Sequence, residues 1–282
     1  MVRNSILFSE CTAEMQKHNI DSAFFDTKEI FQSVTHNRNI FVSDTVSDEQ
    51  AEKIRIAVKK RCSGYPLQYI IGEWDFYGYT FRVSEDVLIP RPDTETLIEN
   101  VIALCRENNI QNPEILDICS GSGCIAVTLK KEIPDSAIHA VEISEKAVEL
   151  IRYNADLNNV KINMECADAC EEITAEKYRN YDIIVSNPPY LTDEDMHELQ
   201  KEVRYEPKLA LFGGNDGLDF YRKLTPLWKN SLKNNGWLCY EFGMGQHEAV
   251  KKILEENNFS NITLNRDTQN IIRTVTAQKT EE

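Results

Sequence analysis

The 282 residues include 31 basic and 46 acidic side chains, a formal charge of −15, with 41% hydrophobic and 27% charged residues. At roughly 150 residues per domain this is one large domain or two modest ones, and the apolar fraction argues against general disorder. So acidic a chain is a poor unaided binder of nucleic-acid backbone, which is gripped through positive faces; it suits a small molecule, a cationic cofactor or a basic protein partner better.

Residues 1–62 read as helical, with helices expected over 5–18 and 21–32. Ser47-Asp48-Glu49-Gln50 matches a capping box, Ala51, Ile54, Ala57 and Val58 then repeat at helical spacing, and Gly64 and Pro66 stop the helix. The aromatic, β-branched stretch 69–83, turning at Tyr77-Gly78-Tyr79, predicts a hairpin. Beyond Pro90-Arg91-Pro92 a helix is expected over 94–108. An alternation then follows: strand 114–119, helix 124–132, strand 137–143, helix 145–157, strands 161–166 and 181–186, helix 218–232, strand 237–242, helix 248–257, and two short strands, 262–265 and 271–276. Such alternation implies βαβ units and a mostly parallel sheet, with the last two strands as an antiparallel edge hairpin. The expected organisation is a helical domain over 1–66, a β-hairpin linker over 67–88 and an α/β domain over 89–282.

No run reaches the ~18 apolar residues of a membrane helix, and the N-terminal stretch lacks the sustained apolar core of a secretory signal. The eight cysteines form no C-x-x-C pair and have no histidines at ligand spacing. Reduced thiols in the cytoplasm, and no metal site, are expected.

The strand Ile115-Leu116-Asp117-Ile118-Cys119 runs into Ser120-Gly121-Ser122-Gly123-Cys124 and a helix. Glycines at such a turn let backbone approach a ligand, and the helix N-terminus presents free N–H groups. The second strand ends in Glu142, where a carboxylate can accept both hydroxyls of a ribose. Asp117 would repel a pyrophosphate, whereas S-adenosylmethionine carries an ammonium and a sulfonium but no phosphate. Asp168, after the third strand and before Ala169, is placed to meet an adenine amino group. Capping or loop hydrogen bonding is the alternative reading for Asp117 and Asp168.

The fourth strand ends in Asn187-Pro188-Pro189-Tyr190. Two prolines fix the backbone and remove two N–H donors. A planar –NH2 group is a poor nucleophile because its lone pair is delocalised. The Asn187 side-chain oxygen and the Pro188 carbonyl can each accept one of its N–H groups, tightening as positive charge develops on nitrogen, while the Tyr190 ring covers the planar face. A merely rigid turn is the alternative.

With Ile89-Pro90-Arg91-Pro92-Asp93-Thr94-Glu95, Gly64-Tyr65-Pro66-Leu67-Gln68-Tyr69-Ile70, Val203-Arg204-Tyr205-Glu206-Pro207 and Ala210-Leu211-Phe212-Gly213-Gly214, these motifs resemble the bacterial release factor glutamine methyltransferases (the HemK/PrmC family). The resemblance runs from about residue 47 to 275. It implies a Rossmann-like class I methyltransferase domain preceded by a small helical, substrate-docking domain. The implied reaction is transfer of a methyl group from S-adenosylmethionine to the glutamine nitrogen in the Gly-Gly-Gln loop of peptide chain release factors. By the same resemblance Cys119, Ser120, Gly121, Ser122, Gly123, Glu142, Asp168, Ala169 and Asn187 bind the cofactor, joined by Asp117 on the strength of its charge. Asn187, Pro188, Pro189 and Tyr190 grip the glutamine, and Asn187, Pro188 and Tyr190 carry the catalysis. Arg91 lies either near the cofactor pocket or in a salt bridge. The protein is expected to act as a cytoplasmic monomer without direct nucleic-acid or membrane contact; an adenine-N6 nucleic-acid methyltransferase is the alternative. The chain departs from the family's usual pattern at Cys119 and Asn270, where Gly is common, and at Glu142, where Asp is usual.

Overall fold

The computed structural model describes residues 1–37, 39 and 44–280. They form two compact units: Met1–Glu73 together with Leu199–Tyr205, and the remainder of the chain. The first unit contains, in chain order, β1 (Val2–Arg3), α1 (Asn4–Lys17), α2 (Ala23–Thr35), β2 (Thr45–Val46), α3 (Asp48–Cys62) and α4 (Leu67–Ile71). The expected capping box opens α3: Ser47 Oγ accepts from Gln50 N, and Gln50 Oε1 accepts from Ser47 N, both at 3.1 Å. Leu7, Met15, Ile30, Phe31 and Ile54 are buried at its centre. Arg61 lies among them, paired to Asp26 at 2.6 Å and to Glu202 at 2.9 Å. The unexpected pair β1–β2 is only two residues long on each side.

Residues 67–71, assigned by sequence to the hairpin linker, are helical instead. Pro66 sets the entry, Leu67 and Tyr69 are buried, and Gly72 at φ 82° ends the turn with its N–H donating to Gln68 O at 2.8 Å. Apolar residues pack equally well on a one-turn helix, so short runs do not distinguish it from a strand. The hairpin itself is β3 (Glu73–Phe76) and β4 (Tyr79–Arg82). Tyr77 and Gly78 both have positive φ, 52° and 76°, as a two-residue loop of matching twist needs.

The second unit continues with α5 (Glu95–Glu107), β5 (Glu114–Ile118), α6 (Cys124–Glu132), β6 (Ala137–Glu142), α7 (Glu145–Leu157), β7 (Asn163–Cys166), α8 (Glu172–Ala175), β8 (Tyr181–Ser186), α9 (Asp193–His197), α10 (Asp219–Lys229), β9 (Leu232–Glu241), α11 (His247–Glu256), β10 (Phe259–Arg266) and β11 (Ile272–Lys279). Strands β5 to β11 form a seven-stranded sheet in the order β10-β11-β9-β8-β5-β6-β7. Pairs from β9 to β7 are parallel, and β11 pairs antiparallel with both β9 and β10. Leu97 and Val101 of α5, Ala126 and Leu129 of α6 and Ile151 of α7 cover one face; Tyr221, Leu224 and Trp228 of α10 and Val250 of α11 cover the other.

Three strands are longer than their apolar runs. β9 begins at Leu232, five residues early, because the polar Lys233-Asn234-Asn235 interrupts its pattern at an irregularity in the β8 register. β10 and β11 span eight residues each: the edge strand β10 is half-exposed, and β11, buried between β10 and β9, alternates threonines with Val275 and Ala277, so neither has a continuous apolar signal. The short α8 and α9 are too brief for periodicity to reveal. In the β10–β11 turn Asn270 adopts φ 65°, the conformation a glycine would take, and Asp267 Oδ1 accepts from Gln269 N and Ile271 N.

The chain steps outward through β5, β6 and β7, then crosses back to lay β8 against the other side of β5. The carboxyl ends of β5 and β8 therefore flank a topological switch point, where open α/β sheets bind ligands.

Candidate active site

A cavity of about 430 Å³ opens at that switch point. One wall is the loop leaving β5. Cys119, Gly121 and Gly123 all have positive φ, at 61°, 55° and 77°. Beneath the loop Asp117 is fully buried and accepts from Ser120 Oγ at 2.5 Å. Burial pushes Asp117 up to about 7, against the hydrogen bonds from Ser120 and the Ala126 N–H. Gly123 lets the loop sit against α7, where a Cβ would meet Ile151 side-chain carbons at 3.1 Å. Asn154 of α7 ties this loop to the hairpin: its Nδ2 donates to Ser122 O at 2.9 Å and Arg82 O at 3.1 Å, and its Oδ1 accepts from Arg82 N at 2.7 Å.

The adjoining wall comes from the end of β6. The two carboxylate oxygens of Glu142 each accept a backbone N–H, Oε2 from Gly121 at 2.8 Å and Oε1 from Ser144 at 3.0 Å. Glu142 thereby locks the two cavity loops together, while each oxygen keeps a lone pair for a ligand hydroxyl. Ser122 Oγ is buried without a partner. Asp168, after β7, also lines the cavity, with Oδ1 accepting from Cys170 N at 2.8 Å.

At the tip of β8, Asn187 and Pro189 line the cavity beside Thr94 and Arg91. Asn187 Nδ2 donates to Thr94 Oγ1 at 3.2 Å. The segment following the tip is pinned from several sides. Leu191 N donates to Leu211 O and Gly213 N donates to Leu191 O, each at 2.8 Å, while Gln246 Nε2 donates to Tyr190 O at 2.9 Å. Gly213 packs so closely that a Cβ would lie 2.6 Å from Pro189 O and 2.7 Å from Tyr190 Cα. Burial pushes the Tyr190 phenol up, reinforced by Glu241 and opposed by Arg273 and Arg91. Arg91 is both things the sequence left open: it lines the cavity and is ion-paired with the buried Glu206, which also accepts from Ile89 N at 3.3 Å. Burial raises the Glu206 carboxyl, with Arg91 opposing.

Of the residues proposed from sequence for the cofactor, Cys119, Ser120, Gly121, Ser122, Glu142, Asp168, Ala169 and Asn187 lie on the cavity wall, whereas Asp117 and Gly123 do not. Asp117 lies behind the loop, with Ser120 Oγ donating to Oδ2 as its alternative reading of loop hydrogen bonding has it, and with Oδ1 unpartnered. Of the substrate residues Asn187 and Pro189 line the cavity; Pro188 and Tyr190 do not. Thr94, Ile143 and Ser144 are wall residues that the sequence reading passed over. Glu241, left unassigned by the sequence, lies fully buried behind Asn187, with burial pushing it up to about 7 against hydrogen bonds from Thr94 and Asn187. Among the described residues no His, Cys, Asp and Glu cluster could hold a metal ion, and no helix is long and apolar enough to cross a membrane.

The family model "Methyltransferase small domain" matches residues 94–204, and "PrmC N-terminal domain" matches 7–72, close to the Met1–Glu73 stretch of the helical unit. The chain is 38% identical to the release factor glutamine methyltransferase of Fusobacterium nucleatum, over 98% of this chain and 79% of that protein. It is 39% identical to the protein of that name from Flavobacterium psychrophilum over 88% of each chain, and 39% identical to that from Thermodesulfovibrio yellowstonii over 84% of each. Among solved structures, a methyltransferase from Pyrococcus furiosus aligns over 82% of this chain and 98% of its own at 16% identity and a TM-score of 0.54. The T. thermophilus 16S rRNA N2 G1207 methyltransferase aligns over 73% of this chain and 49% of its own, at 16% identity and 0.53. Both share the fold.

Proposed function

The chain belongs to the release factor glutamine methyltransferase family, and from that premise we propose that it methylates the side-chain amide nitrogen of the glutamine in a release factor's Gly-Gly-Gln loop, with S-adenosylmethionine as donor. The observation that carries the reading is the position of Asn187-Pro188-Pro189-Tyr190: the β8 tip puts Asn187 on the wall of the same cavity whose other wall carries Glu142.

The cavity fits the donor. Glu142 retains acceptor capacity for ribose hydroxyls, the unpartnered Ser122 Oγ offers a further polar contact, and Asp168 is available to an exocyclic amine. On the wall Asp86, Glu142 and Asp168 face Arg91 and Lys223, and Arg91 is already paired with Glu206, a balance that suits a cationic donor. When bound, S-adenosylmethionine supplies a methyl group on a positively charged sulfur. Asn187 Oδ1 and the Pro188 carbonyl each accept one N–H of the glutamine amide and hold its nitrogen in place. Those acceptors bind more strongly as the nitrogen becomes positive, which lowers the barrier without a base acting beforehand. The Tyr190 ring covers the amide plane. The proton leaves after transfer, because an N-protonated amide is strongly acidic.

In this reading the helical unit binds the body of the release factor; Phe24, Phe25 and Ile56, exposed at 61%, 47% and 51%, offer apolar contact there. The acidic chain complements a basic, RNA-contacting partner. Eight free thiols support action in the cytoplasm. The test incubates the protein with radiolabelled S-adenosylmethionine and purified release factor, a release factor with the Gly-Gly-Gln glutamine replaced, or duplex DNA. Label in the first alone is expected; label in DNA, or in none, rejects the proposal.

A further inference from the structure

Glu241 has no place in the scheme above, yet its surroundings are specific. In the sheet register Ser186 of β8 pairs with Tyr240 of β9, so the next residues, Asn187 and Glu241, leave the two strand tips side by side. Glu241 is 1% exposed, its Oε2 has no partner, and Thr94 and Asn187 are the polar neighbours that favour its charged form. Thr94 is itself 2% exposed and takes the Asn187 Nδ2–H on its Oγ1 at 3.2 Å.

These contacts decide a question of orientation. An asparagine amide has a donor end and an acceptor end of nearly the same shape, and only its hydrogen-bond partners determine which way it faces. The Thr94 hydroxyl has a single proton. Its oxygen takes the Asn187 Nδ2–H, and the unpartnered Glu241 Oε2 at the neighbouring strand tip is the acceptor its proton needs; with the proton turned there, Thr94 can only accept from Asn187. A carboxylate and a hydroxyl oxygen, both acting as acceptors, then face one end of Asn187, and that end must be NH2. The flipped amide would set its oxygen against two acceptors inside a buried site, where unpaired polar groups are most costly.

We propose that Glu241 and Thr94 are positioning residues that lock the Asn187 amide with Nδ2 turned into the protein and Oδ1 free to accept from the nitrogen to be methylated. The proposal rests on the reading of function given above. It also explains why a full carboxylate occupies a dry strand tip at all: a neutral acid could donate to Thr94, reverse the relay and release the amide. Locking is therefore complete only when Glu241 is ionised. The groups facing it are Asp93 and Thr94 from the segment before α5, Arg273 from β11, Tyr190 and Asn187 from the β8 tip, Tyr221 from α10 and Cys124 from α6. Among these groups Arg273 favours the charged form, as do the Thr94 and Asn187 hydrogen bonds, and Asp93 opposes it.

The experiment compares the full-length wild type with Thr94→Val, Thr94→Ser and Glu241→Gln. Methyl transfer to release factor is followed across pH, and exchange of the Asn187 side-chain amide protons is followed by 15N NMR, assigned by their loss in Asn187→Asp. Thr94→Val and Glu241→Gln should each lower kcat about tenfold or more, with the KM for S-adenosylmethionine within about threefold of wild type. Thr94→Ser should recover most of the loss, since it keeps the hydroxyl. The wild-type kcat should fall on the acid side as Glu241 takes up a proton, and that limb should vanish in Glu241→Gln. Asn187 amide exchange should be slow in wild type and at least about tenfold faster in Thr94→Val. Unchanged kcat in Thr94→Val, a serine variant no better than valine, or equal amide exchange would overturn the proposal. A wild type that transfers no methyl group to release factor would instead defeat the functional reading, and the amide exchange would still decide the orientation.

Discussion

Replacing Glu142 by Gln tests how the cavity is organised. The carboxylate serves two backbone donors at once, Gly121 N at 2.8 Å and Ser144 N at 3.0 Å, one on each oxygen. An amide of the same shape has only one acceptor oxygen, so whichever way the substituted side chain turns, its NH2 faces an N–H. Both donors are on half-buried residues, where water can replace the lost partner; the unliganded protein should lose no more than about 1 kcal/mol. Ligand binding should suffer more, because it needs both loops held and a ribose hydroxyl donating to a charged oxygen. Losing one charge-assisted hydrogen bond and part of the preorganisation amounts to roughly 2–4 kcal/mol, or an S-adenosylmethionine Kd about 30- to 1,000-fold weaker. Titration calorimetry gives the affinity and urea unfolding without ligand gives the stability. An affinity within threefold of wild type, or a stability loss as large as the affinity loss, would refute the double role assigned to Glu142.

Three further outcomes follow from the same structure. Gly213→Ala would drive a methyl group into Pro189 O and Tyr190 Cα, at 2.6 and 2.7 Å, and so displace the substrate segment; kcat should fall about a hundredfold, with S-adenosylmethionine affinity measured by calorimetry little changed. Asp26→Ala removes the 2.6 Å partner of the buried Arg61 and leaves it Glu202 alone, and urea unfolding should show a loss of roughly 1.5–3 kcal/mol. Glu241 is raised from 4.5 to about 7 by burial, so between those values the folded protein holds a proton that the unfolded chain has released, and stability falls as pH rises through that window. Glu241→Gln removes that fall: relative to wild type it should gain roughly 3 kcal/mol between pH 4.5 and pH 8 in urea unfolding.

Much of this protein is legible from local chemistry. The alternation of apolar strands and capped helices determines the order of β5 to β11, because each element must bury one face and its length follows from that face. Ser47 with Gln50, Tyr77 with Gly78, and Asn187 with its two prolines act within a few residues of chain, so their geometry can be read without knowing the fold. Short or half-exposed elements escape this reading: α4, the polar start of β9 and the long edge strands have no periodic apolar signal. The cavity wall was visible wherever a motif brings its own backbone to the ligand, as at Cys119–Ser122 and Asn187.

What no stretch of sequence contains is which buried polar groups meet. Asp117, read from sequence as a ligand contact, lies beneath its loop with Ser120 Oγ donating to one oxygen and the other unpartnered, a placement only the folded sheet decides. The pairing of Arg91 with Glu206, the clasp of Asn154 on Ser122 and Arg82, and the place of Glu241 behind Asn187 join residues 32 to 115 positions apart. Such contacts are set by strand order and register, which fix where a polar side chain ends once its strand has found its neighbours. The sequence therefore determined the elements and their chemistry, and tertiary packing determined which of those chemical groups act on one another.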